Sequence, residues 1–426
     1  MDNLTIYLFP LSLLAILGLI YSLNNYISLL AYHLIIRSVF DSAHSITYKP
    51  ILGFLTLGQL FSFFYIFIFI VYIINKKSNL QSTLLRPVLL LVVISTISAM
   101  FSGHWSGYVI FVTKWLYFYI IFVIAYDLSK NNSQKIIALV LFVATIYPIV
   151  NQLILSFVIE PKCVIGQPIC SYIGTFYHES ELSSWILMFL LGVSIGVKVG
   201  NGLVRYFYLS MFVIGVVSLI LNGYRTAVLG FFVFLAVIFI ASLKRMNVVS
   251  VFASILAIVI GVLLFGYISY DSVSVYTNDV LIFIKNPSEY FSIAGDVEKY
   301  DLFSGRLYIF NLVIREYINA GLIEYFFGIG PDVVVKNLGF FAHNEFISTF
   351  VELGLFGFFV FIWLLLAAWK IVRQSNDIVL FAMFVCVLVT ALATMPFHDI
   401  RAIIVFALVI GFAKGKQARA LRNGKY

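Results

Sequence analysis

Residues 341–365, FAHNEFISTFVELGLFGFFVFIWLL, pass from a polar cluster into an apolar run within a few positions. After Glu352 no charge appears until Lys370. The stretch 346–369 therefore reads as a helix that crosses a bilayer, whose hydrocarbon core of about 30 Å takes roughly 20 apolar residues. His343, Asn344 and Glu345 then stand where water meets lipid. Just upstream, residues 271–342 form a polar insertion of about seventy residues. It interrupts a chain that is otherwise almost continuously hydrophobic, and chemistry is expected where it meets the bilayer surface.

Working outward, the composition fixes the class. Hydrophobic residues make up 62% of the 426 positions and charged residues 11%, with a mean hydropathy of +1.05. No soluble domain of this length has such a balance. Apolar windows fall at 6–26, 51–74, 87–102, 107–126, 136–158, 182–197, 204–221, 226–243, 248–270, 346–369, 378–395 and 398–413. The runs are continuous rather than alternating, which excludes a β-barrel. The expectation is an all-α integral membrane protein of about twelve transmembrane helices, the windows at 87–102, 182–197 and 398–413 being short. Residues 1–270 would hold nine helices with short loops, 271–342 a large outer loop containing short helices, and 343–426 three helices and a basic tail. Met1-Asp2-Asn3 lacks the positive start of a cleavable signal peptide, so the first window reads as a retained span.

Orientation follows from the cations. With the N-terminus inside, sixteen Lys and Arg fall on the inner side, five of them in the tail after Ala413. The short outer loops hold five, namely Arg37, Lys49, Lys162, Arg225 and Arg401. That bias is the positive-inside pattern, from which long loops are exempt. The net charge of +8 is thus a topology signal and not a nucleic-acid footprint, and the tail reads as attraction to anionic inner-leaflet lipid. Cys163 and Cys170 share an outer loop bounded by Pro161 and Pro168. They can close a disulfide in an oxidising compartment or stay as two thiols; Cys386, inside an apolar span, reads as a small buried hydrophobe.

Nucleotide-binding loops, HExxH and cysteine–histidine zinc spacings are missing from the sequence, and acidic pairs are scarce. No metal site and no cofactor is expected. What remains is a set of polar residues at the outer face. Ser304 reads as the cap of a helix that runs towards Gly321. Arg306 then sits in the first turn, where a cation opposes the helix dipole. Free amides and a guanidinium there suit a phosphate, although Asp296, Glu298 or Asp301 could simply neutralise it. Arg315 lies half a turn round and faces away. Arg225, at a short outer turn, either snorkels to headgroups or meets a lipid-linked phosphate. Lys114 is the one cation deep in a span and reads as a cavity residue. His343 is a candidate base with Asn344 beside it; His178, next to Glu179, and His398 are alternatives with less context. His33 and His44 fall in the first outer loop and attract no role.

Three blocks carry a resemblance: NGYRTAVLGFFVFL at 222–235, SGRLYIFNLVIREYINAGLIEYFFGIGPD at 304–332, and AHNEFISTFVELGLFGFFVFIWLL at 342–365. GTFYHESELSSW is a weaker fourth. In this order they resemble the O-antigen polymerase and O-antigen ligase superfamily of bacterial inner membranes; residues before about 170 add only span count. The resemblance implies a metal-independent glycosyltransferase of the C-type membrane architecture, acting at the periplasmic face. Its donor and acceptor would be undecaprenyl-diphosphate-linked glycans, with a chain-length regulator as a further partner. Carried over by position, Arg225 and Arg306 match the arginines that bind the diphosphate, and His343 the histidine that activates the acceptor hydroxyl. Arg315 and Lys336 in the same loop leave other phosphate partners available. The polymerase reading is preferred over a ligase that transfers glycan to lipid A core. A flippase or transporter would call for charges spread through several spans, whereas here only Lys114 is central.

Overall fold

The structure is a computed structural model describing residues 26–52, 55–76, 82–163, 170–243, 285, 306–339 and 341–424. The windows at 248–270 and, apart from residue 26, at 6–26 lie outside these residues. So do the expected cap Ser304 and the acidic trio 296, 298 and 301.

The chain is a helical bundle. It begins with α1 (Tyr26–Ser42), the short α2 (His44–Thr47) and a small antiparallel hairpin, β1 (Pro50–Leu52) with β2 (Leu55–Thr56). Six helices follow: α3 (Leu57–Lys76), α4 (Ser82–Ser102), α5 (Trp105–Asn131), α6 (Gln134–Leu155), α7 (Glu179–Val199) and α8 (Gly202–Leu221). After α9 (Arg225–Ser242) come three helices from the polar insertion, α10 (Arg306–Ile318), α11 (Leu322–Phe327) and α12 (Val333–Leu338). The bundle closes with α13 (Glu345–Gln374), α14 (Ile378–Ala393), a 3-10 turn at Pro396–His398 and α15 (Ile400–Arg422). Among the described residues, α4 to α9 and α13 are the seven helices long and apolar enough to cross a membrane; α3 and α14 have shorter apolar stretches.

Side-chain caps set several starts. Asn344 accepts from the Phe346 and Ile347 amides, both at 3.0 Å. Asp377 accepts from Val379 at 3.2 Å and Asp399 from Arg401 at 2.9 Å, each satisfying an N–H that a helix start leaves open. The broadest helix contact joins α5 to α15. Gly411 and Gly415 lie one turn apart there, and a Cβ on either would overlap the α5 backbone or the side chains of Ala125 and Ser129. Small residues at this spacing let two apolar helices approach closely without a hydrophobic drive between them. Phe118, Phe384, Phe397 and Phe406 fill the layer beside that crossing.

Three expectations change. Residues 26–42, taken as part of an outer loop, form α1, which is packed inside the bundle with Leu29, Leu30, His33 and Leu34 fully buried. Its polar residues hide it from a hydropathy window, yet Arg37 and Asp41 pair at 3.1 Å one turn apart, which offsets part of the cost of burying either charge. The basic tail is not given to lipid alone, since two of its cations have partners in the bundle. It continues α15, where Lys416 reaches Asp377 at 2.9 Å and Arg419 donates to the Asn132 carbonyl.

The third change concerns the insertion, whose described part is tied into the bundle. Helix α13 is broken at Gly354 (φ 66°, ψ −169°), which frees carbonyls upstream. Ile329 and Gly330 donate to the Val351 and Glu352 carbonyls at 3.0 and 3.1 Å. Ser98 of α4 donates to the Gly328 and Glu352 carbonyls at 3.2 and 3.1 Å. Irregular backbone is tolerated at such depth only when protein partners satisfy it. The glycine-rich FFGIGPD segment is that partner.

Candidate functional site

One end of the bundle gathers the starts of α3, α5, α7, α9, α13 and α15 with the ends of α1 and α14. They enclose an open cavity of about 960 Å³, at the upper end of the usual range for ligand sites. His343, Lys114 and His178 are in its wall, and Tyr224 and Ala227 line it on either side of Arg225 in sequence. Arg225 itself is the first residue of α9 and is half-buried. His343 precedes the α13 cap with φ of 50°, a left-handed conformation that histidine adopts more readily than most side chains. Arg306 is the first residue of α10; its side chain lies outside the described residues. Arg315 is exposed further along that helix.

The other expected residues have defined partners. Asn344 uses its oxygen on the α13 cap, and its amide donates to the Leu392 carbonyl at 2.8 Å. Its polar atoms thus hold helices together. His178 caps α7: its Nδ1 accepts from the Ser180 amide at 3.1 Å, so the ring proton is on Nε2, 3.5 Å from Glu179. Burial pulls its pKa below the ordinary histidine value, the Glu179 carboxylate opposing that and Lys162 reinforcing it. Glu179 also meets Lys162 at 3.5 Å. Cys163 and Cys170 are disulfide-bonded, and the Lys162–Ser171 bridge closes the same hairpin.

His398 lies between two carboxylates, Glu345 at 3.3 Å and Glu352 at 3.5 Å. Burial works against its charged form, but Glu345, with Glu352, raises its pKa to about 9. It therefore holds a proton at neutral pH. His398, Glu345, Glu352, Lys114 and Asp332 surround a second void of about 20 Å³, room for roughly one water. Burial and then Glu352 push Asp332 above the usual carboxylate range, against the pull of Lys114.

Two arginines that the sequence offered only as topology markers are central to the cavity wall. Arg401 donates four side-chain hydrogen bonds within the protein and is ion-paired with Glu181 besides. Nε and one Nη2 hydrogen go to Asp41 at 2.8 and 3.2 Å, the other Nη2 hydrogen to the Tyr48 hydroxyl at 2.6 Å. Nη1 donates to Asp399 at 3.1 Å and is ion-paired with Glu181 at 3.0 Å. Arg37 binds Asp41, Ser62 at 2.8 Å and Tyr48 at 3.3 Å. Trp185 adds a donor to Asp41 at 3.2 Å. The Arg37–Asp41 spacing was a readable sign of pairing on a helix; the partnership with Arg401, 360 residues away, leaves no local trace.

No curated protein matches the chain. Residues 210–362, which include Arg225, Arg306 and His343, match the family model described as O-antigen ligase, so this segment is similar to the O-antigen ligase and polymerase superfamily.

Proposed function

We propose that the protein is a polymerase of lipid-linked glycan repeat units. In this reading it is a bundle of about twelve spans in a bacterial inner membrane, with the cavity end and residues 271–342 facing the periplasm. The growing glycan leaves its undecaprenyl diphosphate and joins a hydroxyl on a second lipid-linked unit. The observation that carries the reading is the 960 Å³ cavity with His343 in its wall and the start of α9 beside it, within the family-matched segment.

The chemistry needs two things. The departing diphosphate develops charge, which Arg225 and Arg306 would stabilise as fixed guanidinium groups near a low-dielectric interface. No metal is required for that step in this proposal. The acceptor hydroxyl must lose its proton, and a neutral imidazole can take it. Among the histidines considered as bases, His398 already holds a proton and the basic nitrogen of His178 is engaged by Ser180. Elimination therefore favours His343. A chain-length regulator would act on this enzyme from outside the bundle.

The family's description favours a second reading, a ligase that transfers finished glycan to lipid A core. Deletion separates the two. Loss of a polymerase leaves single repeat units on lipid A core, and His343→Ala at normal protein levels should reproduce this. Bare core with long polymer stranded on undecaprenyl diphosphate would overturn the polymerase reading in favour of ligase. Repeat units trapped on the cytoplasmic leaflet would overturn both in favour of a flippase.

A further inference from the structure

The Arg401 wall of the cavity has an unusual polarity. Its arginine is committed to four residues of the protein: it donates hydrogen bonds to Asp41, Tyr48 and Asp399 and is ion-paired with Glu181. Asp41 is saturated from Arg37, Arg401, Tyr48 and Trp185. Glu181 and Asp399 are not saturated. Each gives one oxygen to the same Nη1, and the second oxygens, Glu181 Oε2 and Asp399 Oδ2, are buried without a hydrogen-bond partner among the described residues. Both residues line the large cavity, and Glu181 is only 9% exposed.

A buried acceptor without a donor costs about 1–3 kcal/mol, which an incoming donor would recover. The wall sets two arginines against three carboxyl groups, those of Asp41, Asp399 and Glu181. A phosphate would find both guanidinium groups already paired with carboxyl groups there. A neutral ligand rich in O–H donors would meet two carboxyl groups, each fixed through its other oxygen by one guanidinium. Beside them Tyr177 is 61% exposed and stacks on His44 with ring centroids 4.1 Å apart. Tyr48 stacks on His44 as well, at 4.4 Å. An aromatic face next to hydroxyl acceptors offers an apolar body with polar neighbours.

We infer that Glu181 and Asp399 form a subsite that binds the hydroxyls of a sugar ring, distinct from any group that holds the lipid diphosphate. It rests on the proposed use of a lipid-linked glycan and assigns the sugar to the wall built by α7 and α15. Glu181 and Asp399 are then specificity-determining residues. Arg401 positions both carboxylates, and Asp41 with Arg37 and Tyr48 positions Arg401.

The test compares two probes on the purified full chain by native mass spectrometry: undecaprenyl diphosphate, and the same lipid carrying its glycan, extracted from a strain lacking the protein. Glu181→Gln keeps an oxygen for Arg401 and turns the open acceptor into a donor. Asp399→Asn does the same while retaining a good helix cap; it serves should Glu181→Gln not fold. Each variant should bind the glycan-bearing lipid about tenfold more weakly than the unsubstituted chain, and bare lipid unchanged, as expected for loss of one hydrogen bond to a charged group. Unchanged binding of both probes, or equal weakening of both, overturns the subsite. Failure of the unsubstituted chain to bind either lipid overturns the proposed function and the subsite with it.

Discussion

Replacing Gly354 with alanine should unlock the insertion from the bundle without unfolding the bundle. The residue has φ 66° and ψ −169°, a region essentially reserved for glycine, where another residue is strained by about 1–3 kcal/mol. The added Cβ would also overlap the backbone of Phe326 and Gly328, and backbone in a packed segment cannot swing aside as a side chain can. Relief requires the 326–330 segment to lift. That breaks the Ile329–Val351 and Gly330–Glu352 hydrogen bonds, each contributing about 1 kcal/mol. Together these terms come to about 3 kcal/mol, or at least a hundredfold in the local opening equilibrium. Hydrogen exchange in detergent reads this directly. Peptides covering Ile329 and Gly330 should exchange at least about a hundredfold faster in Gly354→Ala. Peptides from the α5–α15 contact should be unaffected. Unchanged protection at 329 and 330 would refute the claim that the broken helix and the glycine-rich segment hold one another.

Two further outcomes follow from the charge geometry. Asp377 accepts from Lys198 and Lys416 at 2.6 and 2.9 Å. Burial opposes its charge, but Lys198 and then Lys416 hold its pKa down at about 2. Its contribution of about 2 kcal/mol is therefore present above the unfolded carboxylate value near 4 and is lost as pH falls through about 2. For His398, raised to about 9, a contribution of about 3 kcal/mol is complete below the unfolded value near 6.5 and fades as pH rises through about 9. Thermal melts should thus show Asp377→Asn removing the acid-side loss and His398→Gln the alkaline one; identical pH profiles in the variants would contradict both assignments. Separately, Arg306→Ala should reduce polymer formation more than Arg315→Ala, since the two lie on opposite sides of α10. Equal effects in a chain-length assay would count against that role for Arg306.

Much of the fold is legible because a bilayer helix states itself in one local window. The apolar runs behind α4 to α9 and α13 need no partner to be recognised. α1 needed one. Its YISLLAYHLIIRSVFDS sequence mixes histidine, arginine, aspartate and serines into an apolar face, and averaging erases what the pairing of Arg37 with Asp41 restores. The break at Gly354 had a visible sign, glycine inside an apolar helix, which points to a bend or a close backbone approach. Its partner, FFGIGPD, was visible as a glycine-rich end. That the two segments meet is tertiary information, as is the meeting of Arg401 with Asp41. The candidate site divides the same way. His343, Lys114 and His178 stood out by position at the boundary or depth in a span, whereas Glu181 and Asp399 acquire meaning only once Arg401 is seen to join them.

The two ends of the bundle use charge in opposite ways, and the difference bears on where ligands go. At one end Lys198, Lys416 and Gln134 converge on one oxygen of Asp377, while Val379 takes the other. Both oxygens there are met by donors of the fold, and α6, α7, α14 and α15 are pinned together. At the cavity end the Arg401 guanidinium is committed to Asp41, Tyr48, Asp399 and Glu181 instead, and one buried oxygen each of Glu181 and Asp399 has no donor among the described residues. A cluster built only for stability would gain by adding a serine or an amide donor beside Glu181, since an unmet buried acceptor is a standing penalty. Retaining the penalty makes sense if a ligand removes it during each cycle. The protein then binds the sugar with acceptors fixed in advance by one committed arginine, so little reorganisation is needed when the hydroxyls arrive.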